Sequence, residues 1–344
     1  MTKEFIFNDN SKESRWRSLI LFGKNTSTYK FGYAKSLFNV IEKESTAVIL
    51  DELALPYANY IIEHLKFHDK QGLSSTSKFL DACRARIKNK IDDNQLHAIT
   101  MQEGFKYVVD AFQNLSGEML SKPFYTKNVD FKRTKKLTIS DDLLSMKESF
   151  QYQNLFEEIE SRWHYVELAW AVKVPLSVLD LSYEEDNGFI HVFGDKKRRR
   201  SVTNARSALM GYQKGQCFYC CDKISIDPLS KYLCCVDHFI PYIQKKIHQP
   251  ANIDGYWNLV LACQKCNGPS EKWDRVADEE FLNKLIKRNE FYIGAKRLIA
   301  EIIIQHTGAT LTDRLNFLKK HYQLARDFNQ ITPWKPKERY PCLL

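Results

Sequence analysis

What this chain lacks narrows its class before any motif is read. No apolar run approaches the ~20 residues needed to span a bilayer, so no membrane association is expected. The opening residues, MTKEFIFNDNSKESRWRSLI, lack the cationic start, apolar stretch and cleavage site of an export signal, which predicts a soluble cytoplasmic protein. Glycine (13) and proline (10) are sparse among 344 residues, and there is no repeat or low-complexity tract, so fibrous and extensively disordered classes are excluded. Only two of the nine cysteines, Cys83 and Cys342, lie outside a single fifty-residue window. Without an export signal, such clustering points to metal rather than to disulfides.

What is present is also concentrated. Between Lys196 and Arg288 there are 17 Lys or Arg against 9 Asp or Glu, so an excess of eight accounts for nearly all of the net charge of +9. A polyanionic partner is expected there. The length suits two domains. Apolar spacing predicts helix through most of the first 190 residues. One helix opens at Pro56 with the proline in its first turn, one covers Ser74–Ile87 with Phe79, Leu80, Cys83 and Ile87 on one stripe, and Asn154–Val172 forms the hub. Phe124–Lys136 reads as a solvated basic linker. A seam is expected at residues 184–200, where EEDNG and GDKKRRR interrupt any apolar period. Beyond it come a short helix over Thr203–Lys214, β-type runs in KYLCCVDHFIP and YWNLVLAC, and helices over Asp278–Ile293, Ala295–His306 and Leu311–Phe328. The expected class is therefore α+β: a helical domain over 1–190, a small cysteine-rich module over 191–290, and C-terminal helices over 291–344 packing back on the body.

The strongest chemical signal is a pair of CxxC elements, Cys217/Cys220 and Cys263/Cys266. Two residues between thiolates let both sulfurs of a knuckle face one tetrahedral Zn²⁺, and two knuckles close a structural site of four sulfurs. Cys221 could replace Cys220, and Cys234 and Cys235 read as strand residues or as near-site redundancy. Between the knuckles lie Asp237 and His238, then Asn258, with Asn267 directly after the last cysteine. Phosphodiester hydrolysis needs a base for water, a divalent ion on the phosphate and a scaffold that orients the base; an adjacent Asp-His pair at a strand end can supply the first two. His64 and His68 stand four apart, but without the glutamate of the HExxH pattern they read as surface residues.

The order CxxC, VDHFIP, WNLVLACxxCN resembles the HNH, or ββα-metal, endonucleases, in the subgroup with Asn as third letter. The resemblance implies His238 as general base, Asp237 and Asn267 as ligands of a catalytic Mg²⁺ or Mn²⁺, Asn267 at the start of the α element, and Asn258 bracing the loop that orients His238. Many members carry a Lys three residues after the final Asn, whereas here Gly268, Pro269, Ser270 and Glu271 precede Lys272. Lys196, Lys197, Arg198, Arg199, Arg200, Arg206, Lys214 and Lys272 are the expected nucleic-acid contacts, with DNA favoured over RNA. The chain is also similar to bacterial HNH proteins with long helical N-terminal regions, which implies a restriction or anti-phage setting. In that setting the helical region would recognise a protein partner, a second copy or a particular DNA structure, and restrain cleavage until then. The competing reading is a non-catalytic zinc module that binds nucleic acid or protein.

Overall fold

The computed structural model describes residues 9–343 apart from 24, 75, 116, 172–179, 185–188, 194–198, 250 and 295–297. The fold is α+β, with much helix and four small sheets among the described residues. No described helix is long and apolar enough to cross a membrane. The chain divides into two compact units, Thr2–Ala171 and Val172–Leu344.

The first unit opens with α1 (Lys12–Phe22), capped by the Ser11 hydroxyl accepting from Ser14 N at 3.2 Å, and α2 (Tyr29–Glu42). Next come β1 (Ala47–Ile49) and α3 (Leu50–Leu65). Pro56 lies inside α3, not at its first turn, because the helix begins six residues earlier than proline placement predicts. A proline there removes one main-chain bond. α4 (Lys78–Ile87) is capped by Ser77, and α5 (Asp93–Ile99) by a reciprocal Asp92/Gln95 box. After the short hairpin β2 (Asn114–Leu115) and β3 (Glu118–Met119), β4 (Tyr125–Lys127) pairs antiparallel with β5 (Lys136–Ile139), which also pairs with β1. The expected basic linker therefore carries strand at both ends and a helical turn over Phe131–Thr134 between them. Phe124 and Tyr125 enter the core beside Leu137 and Ile139, which alternate along β5, and the lysines stay outside. α6 (Tyr152–Ala171) supplies Leu155, Ile159, Trp163 and Val166 to that core, where Trp16 meets Phe38, Phe112 and Phe124 edge-on at 5.3–5.5 Å.

The second unit starts earlier than the expected seam. β6 (Asp180–Glu184), β7 (Phe189–Phe193) and β8 (Arg199–Asn204) form an antiparallel sheet where residues up to 190 were expected to be helical. Residues 185–188 and 194–198, most of the polar segments EEDNG and GDKKRRR where the seam was expected, lie outside the described residues. α7 (Ala205–Gln213) leads to β9 (Cys235–His238), which pairs antiparallel with β10 (Leu259–Ala262). α8 (Glu279–Gly294), α9 (Leu298–Thr307) and α10 (Leu311–Asn329) complete the unit. The segment 291–344 falls in the same compact unit as the cysteine-rich region. Arg288 of α8 is fully buried and donates to the carbonyls of Leu259 (2.7 Å), Trp257 (2.9 Å) and Tyr256 (3.3 Å), so this helix fixes the approach to β10.

A buried histidine pair gives this unit an acid-sensitive joint. His248 Nδ1 and His321 Nδ1 stand 2.8 Å apart, so one must donate and the other accept. Burial, then the neighbouring His248 and Lys320, lower His321 from 6.5 to about 4, and burial also lowers His248. The unfolded chain takes its proton first on acidification. Stability is therefore retained in full above about pH 6.5 and falls between there and about pH 4. Thermal melts across this window should show His321→Gln losing less stability on acidification than the parent chain; equal slopes would refute the assignment.

Candidate metal centre and cleft

Cys217, Cys220, Cys263 and Cys266 are all buried, and their sulfurs lie within 4.8 Å of one another. Cys220 Sγ is 3.7 Å from Cys263 Sγ. Four sulfurs at ~2.3 Å around a tetrahedral zinc would be separated by about 3.8 Å, so the set fits such an ion. Main-chain bonds build each knuckle: Cys221 N donates to Cys217 O (3.1 Å) and Asn267 N to Cys263 O (3.0 Å), while Phe218 N reaches Leu261 O (2.9 Å) and joins the two. Sulfur neighbours Cys217, Cys220 and Cys266 hold Cys263 far below the ordinary thiol value, whereas burial drives Cys217 well above it. Such unequal sharing of protons is what a cation removes when it binds all four as thiolates.

Cys221 is not an alternative ligand here: it is joined to Cys342. That pairing runs against the expectation of metal chemistry alone. It arises because the C-terminal tail returns over the knuckle, with Tyr340 N donating to Cys220 O (2.8 Å) and Trp334 fully buried beside Tyr219. Cys235 opens β9, and Cys234 is buried just before it.

The β9–β10 register places Asp237 opposite Val260 and His238 opposite Leu259. Asn258 is fully buried; its Oδ1 accepts from Ile240 N (2.8 Å), and its Nδ2 donates to Ile240 O and Ile253 O (both 3.0 Å). It braces the chain leaving His238, as the sequence resemblance implies. Asn258→Ala would leave three buried main-chain groups without these partners, at about 1–3 kcal/mol each. A fall of several kcal/mol in denaturant stability is expected, and a change below about 1 kcal/mol would contradict the bracing role.

Asp237, His238 and Asn267 line one open cleft of about 710 Å³, together with Tyr242, Lys245, Lys246, Trp273 and Asp274. The Asp237 carboxylate accepts from Tyr219 OH at 2.5 Å and from Lys272 Nζ at 3.1–3.2 Å. Burial and the adjacent Asp237 raise the Tyr219 phenol well above its usual value and keep it a donor. A carboxylate offers about four acceptor positions, and these three contacts leave one for a cation. His238 Nε2 meets Asp254 Oδ1 at 3.1 Å, and Asp254 Oδ2 accepts from Lys245 at 2.8 Å. Burial pushes Asp254 upward, but its bonds to His238 and Lys245 outweigh this and hold it below the usual carboxylate range. An ionised Asp254 fixes the Nε2–H tautomer of His238 and makes Nδ1 the basic nitrogen.

Several sequence expectations change here. Lys272 is fully buried under Asp237 and His238 O, and burial lowers its ammonium below its ordinary value, so it is a strut and not a phosphate contact. Lys214 is buried at the left-handed end of α7 and does not face solvent. Arg206 is half-buried and donates to Cys234 O at 2.8 Å, tying α7 to β9. No helix starts at Asn267; turns follow it and the next helix begins at Glu279, because Gly268 and Pro269 disfavour an α start. Lys196, Lys197 and Arg198 lie outside the described residues, as do the side chains of Arg199 and Arg200. Sequence reasoning missed Asp254, and also Lys245 and Lys246 at the cleft mouth; that dibasic pair, beginning seven residues after His238, was the one available signal. His64 is not a surface residue: it is buried and stacked on Trp163 at 3.5 Å. No family model, curated protein or solved structure matches this chain.

Proposed function

We propose that this chain is a metal-dependent endonuclease of the HNH type, acting on the phosphodiester bonds of DNA. One observation carries the reading: Asp237, His238 and Asn267 share a cleft, beside a four-cysteine set that fits zinc, with Asn258 fixing the chain between them. His238 Nδ1 takes the proton of the attacking water while Asp254, across the ring, stabilises the imidazolium that forms. Asp237 and Asn267 present the oxygen donors that suit Mg²⁺ or Mn²⁺, which when bound supplies positive charge to the phosphate and the leaving oxygen. Lys245 and Lys246 offer phosphate contacts at the cleft mouth, and exposed Tyr242 and Trp273 offer faces for bases. The basic run Lys196–Arg200 adds charge without sequence readout. A restriction or anti-phage role, with partner recognition by the helical unit, belongs to this reading by resemblance alone.

The Asp237–Lys272 pair favours one rival, a zinc module that binds nucleic acid without cutting it, since the lysine already neutralises the carboxylate. Supercoiled plasmid incubated with the full chain should be nicked or linearised with Mg²⁺ or Mn²⁺ and stay intact with a chelator. Binding without cutting in either metal would favour the rival.

A further inference from the structure

We infer that α3 and α6 of the helical unit build a second metal site, in which His64, Glu160 and His164 hold a divalent first-row transition cation. His64 comes from α3, while Glu160 and His164 stand one turn apart on the same face of α6. One ligand atom from each lies within 4.8 Å of the others. Glu160 Oε1 is 2.9 Å from His64 Nε2 and 3.8 Å from His164 Nε2. Donors at ~2.1 Å from a tetrahedral ion would be about 3.4 Å apart, between these two distances, so small side-chain rotations suffice.

The surroundings point the same way. His64 Nδ1 meets Glu167 Oε1 at 2.8 Å, and Glu167 is 1% exposed. A buried carboxylate that takes the far N–H of an imidazole is the usual support for a metal-bound histidine, because it fixes the tautomer and turns the other nitrogen to the ion. Glu167 is itself held by Gln71 Nε2 (2.5 Å), whose Oε1 accepts from Trp163 Nε1 (2.9 Å) and Thr28 (2.6 Å). The His64 ring lies parallel to Trp163, within 1°, which fixes its plane. Lys35 Nζ takes Glu160 Oε2 at 2.8 Å and leaves Oε1 to the histidines. Glu167 Oε2 is buried without a hydrogen bond, 4.0 Å from His68 Nε2. Two histidines and one carboxylate leave coordination positions open, which suits Zn²⁺, Fe²⁺ or Co²⁺ over Ca²⁺ or Mg²⁺. Glu160 and His164 are 29% and 35% exposed, which gives an ion its way in.

The test uses the full chain with Zn²⁺ and Co²⁺ as probes. After equilibration with Zn²⁺ and removal of excess, the parent should retain one equivalent more than His164→Ala or Glu160→Gln. Co²⁺ should add a d–d spectrum without thiolate charge transfer, and this component alone should vanish in both variants. Glu167→Gln should weaken it about 10–100-fold, the usual cost of losing such support. Because His164 is partly exposed, its variant should keep the parent's circular dichroism, and metal loss is then read from a folded chain. Equal zinc content and identical cobalt spectra in the parent and the folded His164→Ala variant would overturn the proposal. The cluster would then be a histidine held between two carboxylates. The cysteine set does not enter the difference, since it is intact in every arm.

Discussion

His238→Ala is expected to slow DNA cleavage by about 10²–10⁴-fold, the range that a positioned general base contributes, while DNA binding and melting temperature stay close to the parent's. The side chain sits at the cleft wall with 8% exposure and meets Asp254, which keeps Lys245 when the imidazole is gone. The backbone beyond residue 238 is held by Asn258 and by Lys272, neither of which needs the ring. A large loss of rate with an unchanged melt would therefore isolate chemistry from folding. Plasmid nicking followed over time measures it; cutting at the parent's rate would remove His238 from the mechanism.

Cys266→Ser, or stripping of metal by a strong chelator, is expected to unfold the second unit. Zinc held by four thiolates contributes apparent free energies of about 10–16 kcal/mol in small domains, whereas a whole domain is stable by about 5–15 kcal/mol. Loss of the ion is therefore comparable to the whole reserve available. The knuckles are also where Phe218 joins Leu261 and where Tyr340 meets Cys220, so their collapse frees β10 and leaves the tail held only through Cys221–Cys342. Limited proteolysis should then cut within 205–343, and zinc content should fall from one equivalent at this set to none. A Cys266→Ser chain as resistant to protease as the parent would show that the cysteines are not a structural clamp.

Much of this site was legible because its signals are local. CxxC spacing determines which sulfurs can face one another, and the four cysteines do converge. A concentration of β-branched and aromatic residues marked β9 and β10, and the Asn258 bracing role was implied by the family resemblance. What was illegible depends on partners distant in sequence. Asp254 meets His238 from an irregular loop with no period to mark it. Lys214 and Lys272 look like solvated cations until the fold closes over them, since a sequence shows charge but not depth. His64 was read as surface for want of a neighbouring glutamate; its carboxylates arrive instead from α6, about a hundred residues later. Strands β6–β8 were hidden by the charged segments between them, which resemble a domain boundary.

Asn258 has a consequence for which residues its position tolerates. Its amide oxygen and nitrogen meet the N–H and C=O of Ile240 as a peptide group on a neighbouring strand would. The antiparallel ladder of β9 and β10 thus gains one more rung, made from a side chain after the two main chains have parted. Asp offers the oxygen without the N–H, Gln has the right groups on a stem one methylene too long, and Ser is too short to span both. The rung can therefore be built from a single residue type, and the ordering of the cleft floor depends on a peptide mimic.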